Sequence, residues 1–132
     1  MIDDDADAWS LLGNPRRIDQ IQVDFRFGLM LDDGTLVIIE SPFTATIDGR
    51  AVAVAPETLE GVGAVMAVLH RTVTAVRAMR SGALRVELSD GGLIEVAPGD
   101  AYENWQVLMP DGSQLVGLPA GDVAAFPPRP GA

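Results

Sequence analysis

The chain has 132 residues, enough for one domain with a real core and too few for two ordinary ones. Its 48% hydrophobic and 21% charged content is that of a globule, not of a disordered tail. A net charge of -10 repels phosphate backbones and anionic bilayers, and it favours a cationic protein partner.

Cysteine is absent, which removes disulfides, thiolate nucleophiles and Cys-ligated zinc. All basic residues are Arg. The longest uncharged apolar stretch, Gly61–Leu69, is too short to cross a bilayer. The acidic start has no basic region leading into an apolar one, so a cytoplasmic location is expected.

Residues 1–8 read as a frayed acidic terminus. Asp3, Asp4, Asp5 and Asp7 lack the spacing and the distal Glu of a calcium loop, so no metal is expected there. Trp9 and Leu12 follow, laid on the body. Ile18–Phe25 alternates loosely and reads as a strand entering the first hairpin.

That hairpin, Phe27–Glu40, turns on Asp32-Asp33-Gly34. Asp-Gly between alternating apolar residues is a strong hairpin signal, because Gly takes positive φ without steric cost. A three-residue loop sets Leu31 opposite Thr35, Leu29 opposite Val37 and Phe27 opposite Ile39. The other side pairs Met30 with Leu36 and Gly28 with Ile38, and Arg26 with Glu40 as a cross-strand ion pair. Both faces are apolar near the turn, so both are expected to be covered. A homodimer through Phe27, Leu29 and Ile39 is one way to cover them.

Ser41-Pro42 breaks the run, and Phe43–Ile47 with Ala51–Val54 forms a shorter hairpin around Asp48-Gly49. Pro56 suits a first helical turn. Leu59, Val62, Val65, Met66 and Leu69 share one helical face, weakened by Gly61 and Gly63. Thr72–Arg80 is a strand, and Leu84–Val96 is a second hairpin around Asp90-Gly91-Gly92. Trp105–Leu118 is a third, around Asp111-Gly112, ended by Pro119-Ala120-Gly121. The Pro-rich tail 127–132 fits neither helix nor central strand. Ile18–Glu40 and Thr72–Val96 echo each other, through either a duplication or two uses of one hairpin pattern.

Few residues offer chemistry. His70 is the only histidine and falls at the expected helix end, where its cationic form suits the terminal carbonyls. No serine lies in a G-x-S-x-G turn, and Gly61-Val62-Gly63 lacks the strand and third glycine of a phosphate loop. No catalytic residue and no cofactor are expected. A loop at Asp90-Gly91-Gly92 places Glu87 opposite Glu95, and facing carboxylates either share a proton, hold a cation, or are neutralised by Arg85 or Arg77. Tyr102, Glu103 and Trp105 form the other cluster. Trp105 falls opposite Gly117, where its ring either shields bare backbone or joins Tyr102 and Glu103 in a contact patch for an Arg- or Lys-bearing partner.

The order of a DG hairpin, Tyr102-Glu103-x-Trp105, a second DG hairpin and Leu118-Pro119-x-Gly121 resembles a family of small uncharacterised actinobacterial proteins. Its members show a Y-E-x-W segment and then a PGG-like turn, in which Ala120 here replaces one Gly. The resemblance runs from about Thr72 to Phe126 and brings no activity or catalytic residue with it.

The expected fold is α+β: an antiparallel meander of about eight strands, open to curling into a partial barrel, with one helix on a face. The expected function is an acidic, non-catalytic interaction module, similar by analogy to immunity proteins that neutralise toxins. The alternative is a small ligand-binding protein or enzyme using Glu87 and Glu95.

Overall fold

The computed structural model describes residues 3–4, 7–99 and 103–128. Within them run thirteen strands, all paired antiparallel, and one short α-helix. The strands are β1 (Asp3–Asp4), β2 (Ala8–Ser10), β3 (Arg16–Val23), β4 (Phe27–Leu31), β5 (Leu36–Ile39), β6 (Phe43–Ile47) and β7 (Arg50–Val54). After α1 (Val62–Val65) come β8 (Thr72–Met79), β9 (Leu84–Leu88), β10 (Leu93–Val96), β11 (Trp105–Leu108), β12 (Gln114–Gly117) and β13 (Val123–Phe126). The hydrogen-bonded order is β13-β12-β11-β5-β4-β3-β8-β9-β10-β6-β7, with β2 also paired to β8 and β1 paired to β2. There are more strands than the expected eight, and the path ends at β13 and β7 without closing into a barrel.

One turn chemistry recurs along this path. At Leu31–Thr35, Met79–Ala83, Leu88–Gly92 and Met109–Ser113, the first residue donates to the carbonyl of the fifth. The fourth residue is glycine in each, with φ between 89° and 96°, and its N–H returns to the first carbonyl. In three of them an Asp at the third position accepts the N–H of the fifth: Asp33 from Thr35, Asp90 from Gly92, Asp111 from Ser113. Only glycine takes that φ at no steric cost, so its position counts off the loop and sets the register.

The register makes the core. Phe27, Leu29 and Leu31 of β4 point inward with Val37 and Ile39 of β5, Trp105 and Val107 of β11, and Leu115 of β12. Val86, Ile94 and Val96 of the other half join the same core, as do Val62, Val65 and Val68 from the helical segment. Phe27 and Phe43 lie 5.3 Å apart between ring centroids, although four strands separate β4 from β6 in the order. The two ends of the path therefore fold face to face about β3, which bulges between Ile18 and Gln20. Phe27, Leu29 and Ile39 are fully buried, so the expectation that a homodimer would use them does not hold.

Two units with the same strand pairing build this arrangement. β3-β4-β5 and β8-β9-β10 are matching meanders, joined through β3 and β8, each with a bulge near the start of its first strand. β6 leaves the first meander and pairs with β10 of the second, while β11 leaves the second and pairs with β5 of the first. Each unit thus completes the sheet of the other.

The outer side of the first half is read from the same register. One row across the strands is Gln20, Met30, Leu36, Leu108, Gln114 and Phe126. The next is Gln22, Gly28, Ile38, Gln106, Val116 and Ala124. Neither row contains a charged residue.

Three expectations change. The helix is four residues plus a 3-10 turn at Met66–Val68, not a run from Pro56 to Leu69. Gly61 in a left-handed conformation blocks earlier entry, and Leu59 also has positive φ and is 58% exposed. Arg26 pairs with Asp24 at 3.6 Å instead of Glu40, because the strand pairing stops at Phe27 and Ile39. The second hairpin closes on Leu88 and Gly92, one residue from the expected position. Glu87 therefore faces Leu93, and Glu95 faces Arg85.

The turn at Met79–Ala83 is pinned against Pro119–Gly121. A Cβ on Gly82 would lie 2.5 Å from the Gly121 carbonyl oxygen, at a φ of +96°. A Cβ on Gly49, at φ +79°, would meet nothing within 4 Å. Gly49→Ala is expected to cost about 1 kcal/mol from backbone strain alone. Gly82→Ala adds backbone overlap and is expected to cost about 3 kcal/mol or more. Urea unfolding of the two variants measures both; equal losses would show that the close approach contributes nothing.

Candidate functional site

An open cleft of about 580 Å³ lies where the turns of the two halves meet, lined by Phe25, Arg26, Glu40, Glu57 and Glu103. The β3–β4 turn supplies the first two. Asp24 Oδ1 accepts the Arg26 N–H at 2.7 Å, and Arg26 O accepts the Asp24 N–H, which tightens the turn. Phe25 is left at its tip, 78% exposed. Large apolar side chains so open to water normally mark contact surfaces when polar groups rim them.

The carboxylates come from three separate segments. Glu40 follows β5, and its N–H donates to Asn104 O. Glu57 sits in the turn after β7, held by bonds from Thr58 N–H to Ala55 O and from Leu59 N–H to Pro56 O. Glu103 is exposed and precedes buried Asn104, whose amide donates to Ala97 O at 2.7 Å. Arg26, the cation on the wall, is turned to Asp24, so negative charge dominates the cleft.

The two clusters anticipated from the sequence are placed differently. Tyr102 lies outside the described residues. Glu103 reaches the cleft. Trp105 is fully buried: its Nε1–H donates to Gly82 O at 2.9 Å, and its ring crosses Gly117. Of the two roles weighed for that ring it fills the structural one, and it offers no contact surface. Glu87 pairs with Arg77 at 3.0 Å. Glu95 instead lines a second, more enclosed trough of about 650 Å³ with Glu60, Arg85 and several alanines. Arg85 Nε is buried there without a partner among the described residues.

Phe25, Glu40 and Glu57 escaped the sequence reading as site residues. Phe25 carried a signal, a large apolar residue between Asp24 and Arg26 in a turn. Glu57 carried none, because only the folding together of the halves brings it to Glu103. His70 is exposed with φ 70°, and its backbone N–H donates to Ile18 O. Among the described residues no three His, Asp or Glu side chains gather as a metal site, and no helix is long and apolar enough to cross a membrane.

These features define a class, the open, mostly antiparallel β protein with a single short helix. Residues 13–127 match the model of a family of unknown function, DUF6188, and the chain belongs to that family. No curated protein and no solved structure matches it.

The electrostatics of the turns has a readable consequence. Asp90 is held below the ordinary carboxylate range, first by the Gly92 N–H and then by Arg71. The Arg71 guanidinium spans Asp90 at 2.9 Å and Asp48 at 3.1 Å, tying two hairpin turns together. Asp111 is held down by the Ser113 hydroxyl and N–H. A depressed carboxyl stabilises the fold above its unfolded value, and that contribution disappears as pH falls through the folded value. Asp90→Asn should therefore be less stable than the parent at neutral pH, with the gap narrowing below about pH 4. Thermal unfolding at pH 7, 4 and 2.5 tests this; a gap that stays constant with pH would refute it.

Proposed function

We propose that the chain is a non-catalytic interaction module that receives a cationic, Arg- or Lys-bearing segment of a protein partner in the Phe25–Glu40–Glu57–Glu103 cleft. The observation carrying this reading is an exposed aromatic ring beside three carboxylates from three segments. An Arg or Lys stem covers Phe25 while its head group meets the carboxylates, and a cation over a ring at an exposed site adds about 0.5–1 kcal/mol. The net charge of -10 contributes steering and association rate more than contact energy. An immunity protein that covers a basic surface of its toxin falls within this reading, by analogy alone.

The test is calorimetric titration with an unstructured Arg-rich peptide of about ten residues, a length that spans about 30 Å when extended. Binding should weaken as salt rises. The triple variant Phe25→Ser, Glu57→Gln, Glu103→Gln should lose about tenfold or more in affinity, the loss of about 1.4 kcal/mol. Asp19→Asn with Glu95→Gln, which removes the same charge elsewhere, should keep most of it. Equal losses in the two variants would reduce the effect to bulk charge and overturn the assignment of the cleft.

A further inference from the structure

From the outer face of the first half, we infer that this chain associates with a second copy of itself, sheet against sheet, around Leu36, Ile38, Gln106 and Leu108. The inference does not rest on the acidic cleft. Twelve positions in two rows across six strands carry no charge, and all but Gly28 and Val116 are at least partly exposed, in a chain with 28 Asp, Glu, Lys and Arg residues. The outer face of an antiparallel sheet that meets water ordinarily alternates polar groups against the buried side. Here it carries Met30, Leu36, Ile38 and Leu108, all partly exposed. Charge returns at the borders, with Asp24, Arg26 and Glu40 at one end and the Asp33 and Asp111 turns at the other. An apolar centre inside a charged rim is the anatomy of a protein interface.

The charge pattern selects the occupant. A cationic partner gains nothing from an uncharged face. Two molecules each carrying -10 repel each other least where neither presents charge, and the two rows of this face are such a place. Its polar groups are also complementary to themselves. Gln114 Nε2 donates to Gln106 Oε1 at 2.9 Å and Gln106 Nε2 to Glu40 Oε2 at 3.5 Å, which leaves each amide a second N–H and an acceptor lone pair toward a copy related by a two-fold axis. Six strands at about 4.8 Å spacing, over some four residues of each, give roughly 400 Å² per copy. A standard interface takes about 800 Å² per partner, so the face supplies about half of one. The pair should be correspondingly weak, with a dissociation constant on the order of micromolar.

Sedimentation equilibrium of the intact chain from about 1 to 500 µM brackets that range. The mass should rise from the 13.9 kDa monomer toward twice that value, and more readily at high salt, which screens the mutual repulsion. This salt response is opposite to that of the peptide binding proposed above, so either idea can fail without the other. Leu108→Glu should weaken association about 100-fold or more, because like charges are brought together on a dry face. Mixing it with Leu108→Arg should restore the dimer. Gln106→Glu, at a partly exposed polar position, repeats the test if Leu108→Glu does not fold by circular dichroism. A parent chain that stays monomeric across the range overturns the inference, as does a folded Gln106→Glu or Leu108→Glu variant that associates undiminished.

Discussion

The structure depends on where a left-handed glycine falls in a three-residue loop. Side chains alternate sides with a period of two, so a slip of one residue exchanges the core face for the outer face along the whole strand. Gly34, Gly82, Gly91 and Gly112 each occupy the same loop position with nearly the same φ. Through them Phe27, Val86 and Val107 are committed to the interior. The same count sends Ile38, Glu95 and Gln106 outward. The acidic cleft and the charge-free face are both downstream of that count.

Much of this architecture is legible in the amino-acid order. The first and third hairpins each hold one glycine at the turn, which leaves one way to close the loop; their registers agree with expectation residue by residue. The second offers Gly91 and Gly92, and either reads equally well as the end of the loop. The structure uses Gly91 in the left-handed position and pairs Gly92 with Leu88, where a Cβ would lie 2.6 Å from the Leu88 side chain. Local spacing cannot weigh that crowding, and the opposition of Glu87 and Glu95 disappears with it. The helix shortens for a related reason. Gly61 lies so close to the Ala53 carbonyl that backbone contact, not helical periodicity, decides the chain direction there.

The site was less legible than the fold. Glu103 and Trp105 are two residues apart, yet one faces water and the other the core, because the chain is clamped at Asn104 between Ala97, Glu40 and Gly117. Ala97 is seven residues away, but Gly117 lies in another strand and Glu40, the most distant, just after one. Phe25 and Glu57 become neighbours of Glu103 only when the two halves close on each other. Sites assembled from turns of separate hairpins leave no spacing pattern, unlike a motif carried on a single loop.

The exchange of hairpins between the two meanders has a kinetic corollary. β5 finds its outer neighbour in β11 and β10 finds its own in β6, so neither half can satisfy its sheet edge until the other has been synthesised. A chain truncated after β7 would display the backbone groups of β5 as a bare template for any passing strand. Such delayed, long-distance closure makes assembly slow relative to chains of similar length with neighbouring contacts. It also makes the two units mutually obligate, so that the fold is acquired or lost as a whole.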